Sequence, residues 1–136
     1  TVIRRCSELL GDKKIWQFGI RSGEKYEFEW AKKHNTINKF DLNGLDDLIC
    51  ELKEANLPVY FTVDLDVLDP SVFPGTGTPE PGGISYKELQ DAVIKVCGGI
   101  IAADVVELCP HYDQSGASTA IACKILRELL LALSGR

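Results

Sequence analysis

The densest chemistry in this sequence lies in one acidic stretch, Asp64-Leu65-Asp66-Val67-Leu68-Asp69-Pro70, directly after an apolar run, Val59-Tyr60-Phe61-Thr62-Val63. If the chain stays extended past Val63, side chains alternate, so Asp64 and Asp66 share one side and Leu65 takes the other. Two carboxylates so close repel each other unless a proton or a cation sits between them. Their hard oxygens suit Mg²⁺ or Mn²⁺. A carboxylate can also bridge two such ions, and a pair roughly 3.5–4 Å apart makes hydroxide available near neutral pH. A DxD after a strand is as often a turn-and-cap device, so this feature alone leaves both readings open. Asp69 reads as structural, because Pro70 biases it towards an extended or turn conformation.

A second apolar run, beginning at Ile100, ends in Asp104-Val105-Val106-Glu107-Leu108-Cys109-Pro110 and supplies another strand-end carboxylate, Glu107. Between the two acidic stretches lies Pro74-Gly75-Thr76-Gly77-Thr78-Pro79-Glu80-Pro81-Gly82-Gly83. It is not a phosphate-binding P-loop, which needs Lys and Ser/Thr after its last glycine, and its glycine spacing is wrong for a dinucleotide fingerprint. Its glycines permit unusual backbone angles and its prolines stiffen the rest, which suits a rigid, tightly turned loop beside a site.

The elements that must position these residues are legible from periodicity. Val2 to Leu10 has helical spacing and is closed by Gly11. Ile15 to Ile20 reads as a short strand, Ser22 as the cap of a helix from Gly23 to about Lys33, and Thr36 to Phe40 as a brief strand. A helix starts at Asn43 and ends at Asn56 and Pro58. Val59 to Val63 reads as a strand buried on both faces of a parallel sheet. Ser85 and Glu88 make a capping box for a helix stopped by Gly98-Gly99. Ile100 to Leu108 is a strand interrupted by Asp104, and Asp113 or Ser115 opens the last helix. Such alternation gives an α/β fold with a parallel sheet and helices on both faces, and ligands bind where such strands end.

At 136 residues the chain is expected to form a single domain, 1–136. Composition is ordinary for a globular protein, with 45% hydrophobic and 26% charged residues. The net charge of -5 and the lack of any longer Lys/Arg cluster argue against nucleic-acid or anionic-membrane partners. The longest apolar run, Leu129 to Leu133, is far too short to span a bilayer. The five cysteines form no CxxC pair and are expected to be buried, reduced thiols of a cytoplasmic protein. The N-terminal segment has no signal-peptide character. The chain has no Met and opens on Thr1 inside a helical pattern, as expected of one that begins mid-domain.

Phe61 to Pro70, Pro74 to Pro79 and Gly82-Gly83, followed by Asp104 to Pro110, together resemble the motifs of the ureohydrolases, the family of arginase and agmatinase. The Pro-Gly-Thr-Gly-Thr-Pro form and Gly19-Ile20-Arg21-Ser22 are most similar to agmatinases, and the likeness runs along essentially the whole chain. It implies a three-layer, arginase-like α/β fold, of which this chain would be the C-terminal half. It implies two Mn²⁺ ions in the complete site, with Asp64 bridging them, Asp66 binding one, and Glu107 receiving the substrate guanidinium. That last role also makes independent sense, since a carboxylate offers two acceptors to a planar guanidinium. The implied reaction is hydrolysis of agmatine to putrescine and urea in a trimeric or hexameric enzyme.

The family's histidine-bearing metal segments, Gly-Gly-Asp-His and Asp-Ala-His-x-Asp, are absent. The histidines present, His34 and His111, lie in other contexts and read as solvent-exposed and as a loop residue. Two aspartates cannot fill the coordination shell of two metals, so the chain alone is expected to bind Mn²⁺ weakly and to be nearly inactive. Because only three or four of the family sheet's roughly eight strands are legible here, a sheet edge is expected to stay open and to favour self-association or marginal stability. Two other readings compete. Phe61 to Val67 also fits the DxD strand of a haloacid-dehalogenase-type phosphatase, with Asp104 as a weak candidate for its later acidic pair. Alternatively, the chain is a non-catalytic subunit contributing half a site.

Overall fold

The computed structural model describes residues 2–135, with Lys39 described by its backbone only. Its elements alternate as the periodicity predicts: α1 (Val2–Leu10), β1 (Trp16–Ile20), α2 (Lys25–His34), β2 (Thr36–Lys39), α3 (Leu45–Ala55), β3 (Val59–Asp64), α4 (Tyr86–Val96), β4 (Ile100–Val106) and α5 (Ala117–Leu133). They pack as two compact units, Thr1–Asn43 and Gly44–Arg136.

In the first unit, α1 stops at Gly11, whose φ of 88° lies in the left-handed region that glycine enters without a steric penalty. β1 and β2 pair in parallel, Trp16 against Thr36. Helix α2 starts later than the sequence suggests. Its N-cap is Glu24, which forms a capping box with Glu27, and Ser22 stays outside the helix. A carboxylate at the cap also meets the positive end of the helix dipole, and Lys32, Lys33 and His34 complement the other end. His34 is not simply exposed: it stacks on Trp30 at 4.5 Å and lies 2.8 Å from Asp12.

The second unit holds every acidic residue singled out above. β3 and β4 pair in parallel, setting Thr62 opposite Asp104 and Asp64 opposite Val106. The strand is not buried on both faces. Val63 is buried, whereas Tyr60 on β3 and Ile101 on β4 are 62% and 73% exposed. The sheet has two strands, and the unit covers one face only, so the outward face carries Tyr60, Thr62 and Asp64 in strict alternation. Asn56, in the left-handed region, ends α3, and the Ser85–Glu88 capping box opens α4 as predicted.

The core lies under the inner face and is built from Val63, Leu65, Leu68, Phe73, Val93, Ile125 and Leu129. Phe73 belongs to the Pro/Gly-rich loop yet is 0% exposed, which pins that loop to the core. All five cysteines are free, as expected, but none is fully buried: Cys50 and Cys123 are exposed and the others half-buried. Among the described residues, no helix is long and apolar enough to cross a membrane.

Candidate functional site

The site begins where β3 stops. The chain does not remain extended after Asp64, as the alternation argument assumed. It turns at once into a 3₁₀ turn, Leu65–Val67, and the Asp64 carboxylate caps that turn by accepting a hydrogen bond from the Asp66 amide at 3.1 Å. Burial of Leu65 and Leu68, each 1% exposed, holds the bend in place. Asp64 therefore does serve as a cap, and the cap brings the two carboxylates together by a different route from the one expected.

Their proximity has an electrostatic consequence. The Asp64 carboxyl is pushed up to about 7, first by its loss of solvent and then by the charge of Asp66, with Glu107 adding a smaller push. Glu107 follows directly on Val106, the parallel partner of Asp64, so strand register delivers it to the same sheet end. Its backbone has a φ of 71°, a left-handed conformation that costs a non-glycine residue on the order of 1 kcal/mol and marks a kink at the strand's exit. Asp64, Asp66 and Glu107, the residues singled out from sequence, are thus brought together.

The connecting loop runs beside this end. Asp69 is structural, as read from sequence: Oδ1 accepts from the Ser71 amide at 2.9 Å and its hydroxyl at 2.5 Å, and Oδ2 accepts from the Gly82 amide at 2.8 Å. Those donors, Ser71 first, hold its carboxyl down at about 2. Thr78 of the same loop donates a long hydrogen bond to Asp66 Oδ2 at 3.4 Å, a contact the sequence reading missed. It also missed Tyr60 and Thr62, whose hydroxyls donate to Asp104 at 2.5 and 2.6 Å. The signal was available, because Tyr60 and Thr62 alternate in phase with Asp64. His111 is exposed in the turn Pro110–Tyr112.

Two adjacent carboxylates whose joint ionisation is penalised fit a hard divalent cation in donor chemistry. They do not complete a site: among the described residues, no group of three or more His, Cys, Asp or Glu side chains is set to hold a metal ion. Asp104, the late acid the phosphatase reading would need, is engaged by Tyr60 and Thr62.

Comparison with known proteins agrees with this architecture. The arginase family model matches residues 1–132. An agmatinase of Bacillus cereus is 46% identical over 136 aligned residues, covering 96% of this chain and 46% of its own length. A guanidinobutyrase of Pseudomonas aeruginosa is 33% identical, covering 99% of this chain and 46% of its own. The crystal structure of an agmatine ureohydrolase of Thermoplasma volcanium superposes with a TM-score of 0.86 at 33% identity, covering 98% of this chain and 46% of that one. The chain thus spans about half the length of the curated relatives it matches. These matches do not favour the phosphatase alternative. An arginase-like α/β fold, acidic strand ends in parallel register and a family match along nearly the whole chain lead to one conclusion: this chain belongs to the arginase family.

Proposed function

We propose that this chain is the C-terminal half of an agmatinase-type ureohydrolase, which hydrolyses agmatine to putrescine and urea with manganese. The observation that carries the reading is the meeting of Asp64, Asp66 and Glu107 at one end of two parallel strands. In this reading Asp64 and Asp66 hold Mn²⁺, with the remaining ligands supplied from outside this chain. Manganese, when bound, makes a water nucleophilic near neutral pH. Glu107 offers two acceptors to the planar guanidinium and aims its carbon towards the aspartate pair. Glu107 is exposed, so the cationic head group reaches it without displacing core residues.

Agmatine is preferred over other guanidino compounds because the Pro-Gly-Thr-Gly-Thr-Pro loop is agmatinase-like and the 46% identical relative is an agmatinase. The guanidinobutyrase relative bears on the same head group with a different tail. We place the intact enzyme in the cytoplasm as a trimer or hexamer, a setting with which five free thiols are compatible.

The test is complementation. The chain is combined with a separately expressed N-terminal half containing the missing histidine segments, and urea release from agmatine is measured with Mn²⁺. Urea should appear with both halves, fall roughly a hundredfold or more in Glu107→Gln, and vanish in Asp64→Asn. No urea from agmatine, arginine or 4-guanidinobutyrate would overturn the proposal. Phosphate release from p-nitrophenyl phosphate with Mg²⁺ would revive the phosphatase.

A further inference from the structure

A buried polar relay joins the Pro/Gly-rich loop to the start of α5. Asp113 and Ser118 are 9% and 0% exposed. The Asp113 carboxylate accepts from the Ser118 amide at 2.7 Å through Oδ2, and from the Ser115 amide and hydroxyl at 3.0 and 2.5 Å through Oδ1. The Ser118 hydroxyl accepts the amide of Gly75 at 2.9 Å, in a buried hydrogen bond. The Gly75 carbonyl accepts the amide of Cys109 at 2.7 Å. One glycine of the loop is therefore held on both its backbone groups, by the start of α5 on one side and by the segment after Glu107 on the other. The fit is close: a Cβ on Gly75 would lie 2.7 Å from Ser118 Cβ and 3.1 Å from Asp113 Cβ.

Each end of the relay leads to the acidic cluster. Cys109 is two residues past Glu107, whose left-handed backbone needs an outside restraint to persist. Gly75 is three residues before Thr78, which donates to Asp66. We infer that Asp113 and Ser118 are positioning residues, which act through Gly75 and Cys109 to hold Glu107 at a fixed orientation to the Asp64–Asp66 pair. The inference rests on the reading of Glu107 as the guanidinium-binding carboxylate, but its test separates the two.

The test uses Ser118→Ala in the 136-residue chain, followed by NMR without metal. Loss of the Gly75 bond should speed exchange of the Gly75 and Cys109 amides by about tenfold or more and shift the three-bond HN–Hα coupling of Glu107. Asp113→Asn, which keeps one acceptor oxygen, should move the same signals less, and serves if Ser118→Ala does not fold. Agmatine is then titrated into the wild type, Ser118→Ala and Glu107→Gln, reading the Glu107 and Leu108 amides. Weakened agmatine shifts in both variants support the relay. A lower melting temperature with unchanged Glu107 coupling and Cys109 exchange would overturn it, reducing Ser118 to a purely structural role. Shifts untouched by Glu107→Gln would instead overturn the reading of Glu107, leaving coupling and exchange to decide the relay.

Discussion

The Asp69 carboxylate accepts the amide of Gly82 from thirteen residues away, at 2.8 Å, while its other oxygen holds Ser71. A single side chain thereby ties both ends of the loop that runs beside the acidic strand ends. Asp69→Ala should lower the melting temperature by several degrees and release the Gly82 amide to rapid exchange, with the far side of the unit unaffected. Hydrogen exchange read residue by residue checks this, and uniform loss of protection would contradict it.

Gly83 lies so close to the chain it crosses that any side chain would collide with backbone. An added Cβ would fall 2.5 Å from the Asp69 amide nitrogen and 2.6 Å from the Val67 carbonyl oxygen. Backbone cannot swing aside as a flexible side chain does. Gly83→Ala should therefore cost on the order of 2 kcal/mol in urea denaturation. Gly77→Ala, with nothing within 4 Å of the added carbon, is the matched control and should cost far less.

The metal-free chain should respond to pH through two carboxyls shifted in opposite directions. Asp64 is raised from its ordinary 3.8 to about 7, so folding favours its protonated form. The stability this gives is complete below pH 4 and is lost as pH rises through about 7. Asp69 is lowered to about 2, so its stabilisation is present above pH 4 and is lost as pH falls through about 2. Asp64→Asn should accordingly raise the melting temperature at pH 8 and change it little at pH 4. Melts at both values, with chelator present, test the sign; stabilisation larger at pH 4 would reverse it.

Manganese should bind this chain weakly on its own. Asp64 and Asp66 offer too few ligands for a closed shell, and the ion must recruit water to complete it. Isothermal titration should give a single weak event, abolished in Asp66→Asn. Tight binding of two ions by the isolated chain would contradict this ligand count.

Element order was legible because hydrophobic periodicity and caps are local properties. The Ser85–Glu88 box and the glycine after α1 announced their helix ends three or four residues at a time. Glu24 displaced Ser22 as the α2 cap because a glutamate cap depends on a reciprocal partner, Glu27, that outcompetes a simpler preference. The acidic cluster was legible as a set of residues but not as a geometry: Leu65 and Leu68 seek the core and bend the chain, which a two-residue repeat cannot foresee. Burial on both strand faces was misread because an apolar run reports what a residue prefers, whereas coverage depends on what packs against it, and Tyr60 and Ile101 stay largely exposed. The relay through Asp113 and Ser118 joins residues 43 apart in sequence across Gly75, a distance at which no local pattern speaks.

Among the described residues, both sheets contain two strands. No strand among the described residues therefore has neighbours on its two flanks, and each presents a row of amide and carbonyl groups along one side. Such rows act as docking rails for any extended peptide that meets them. Self-association should therefore rise with concentration, and light scattering over a dilution series checks this: a particle size independent of concentration would contradict it.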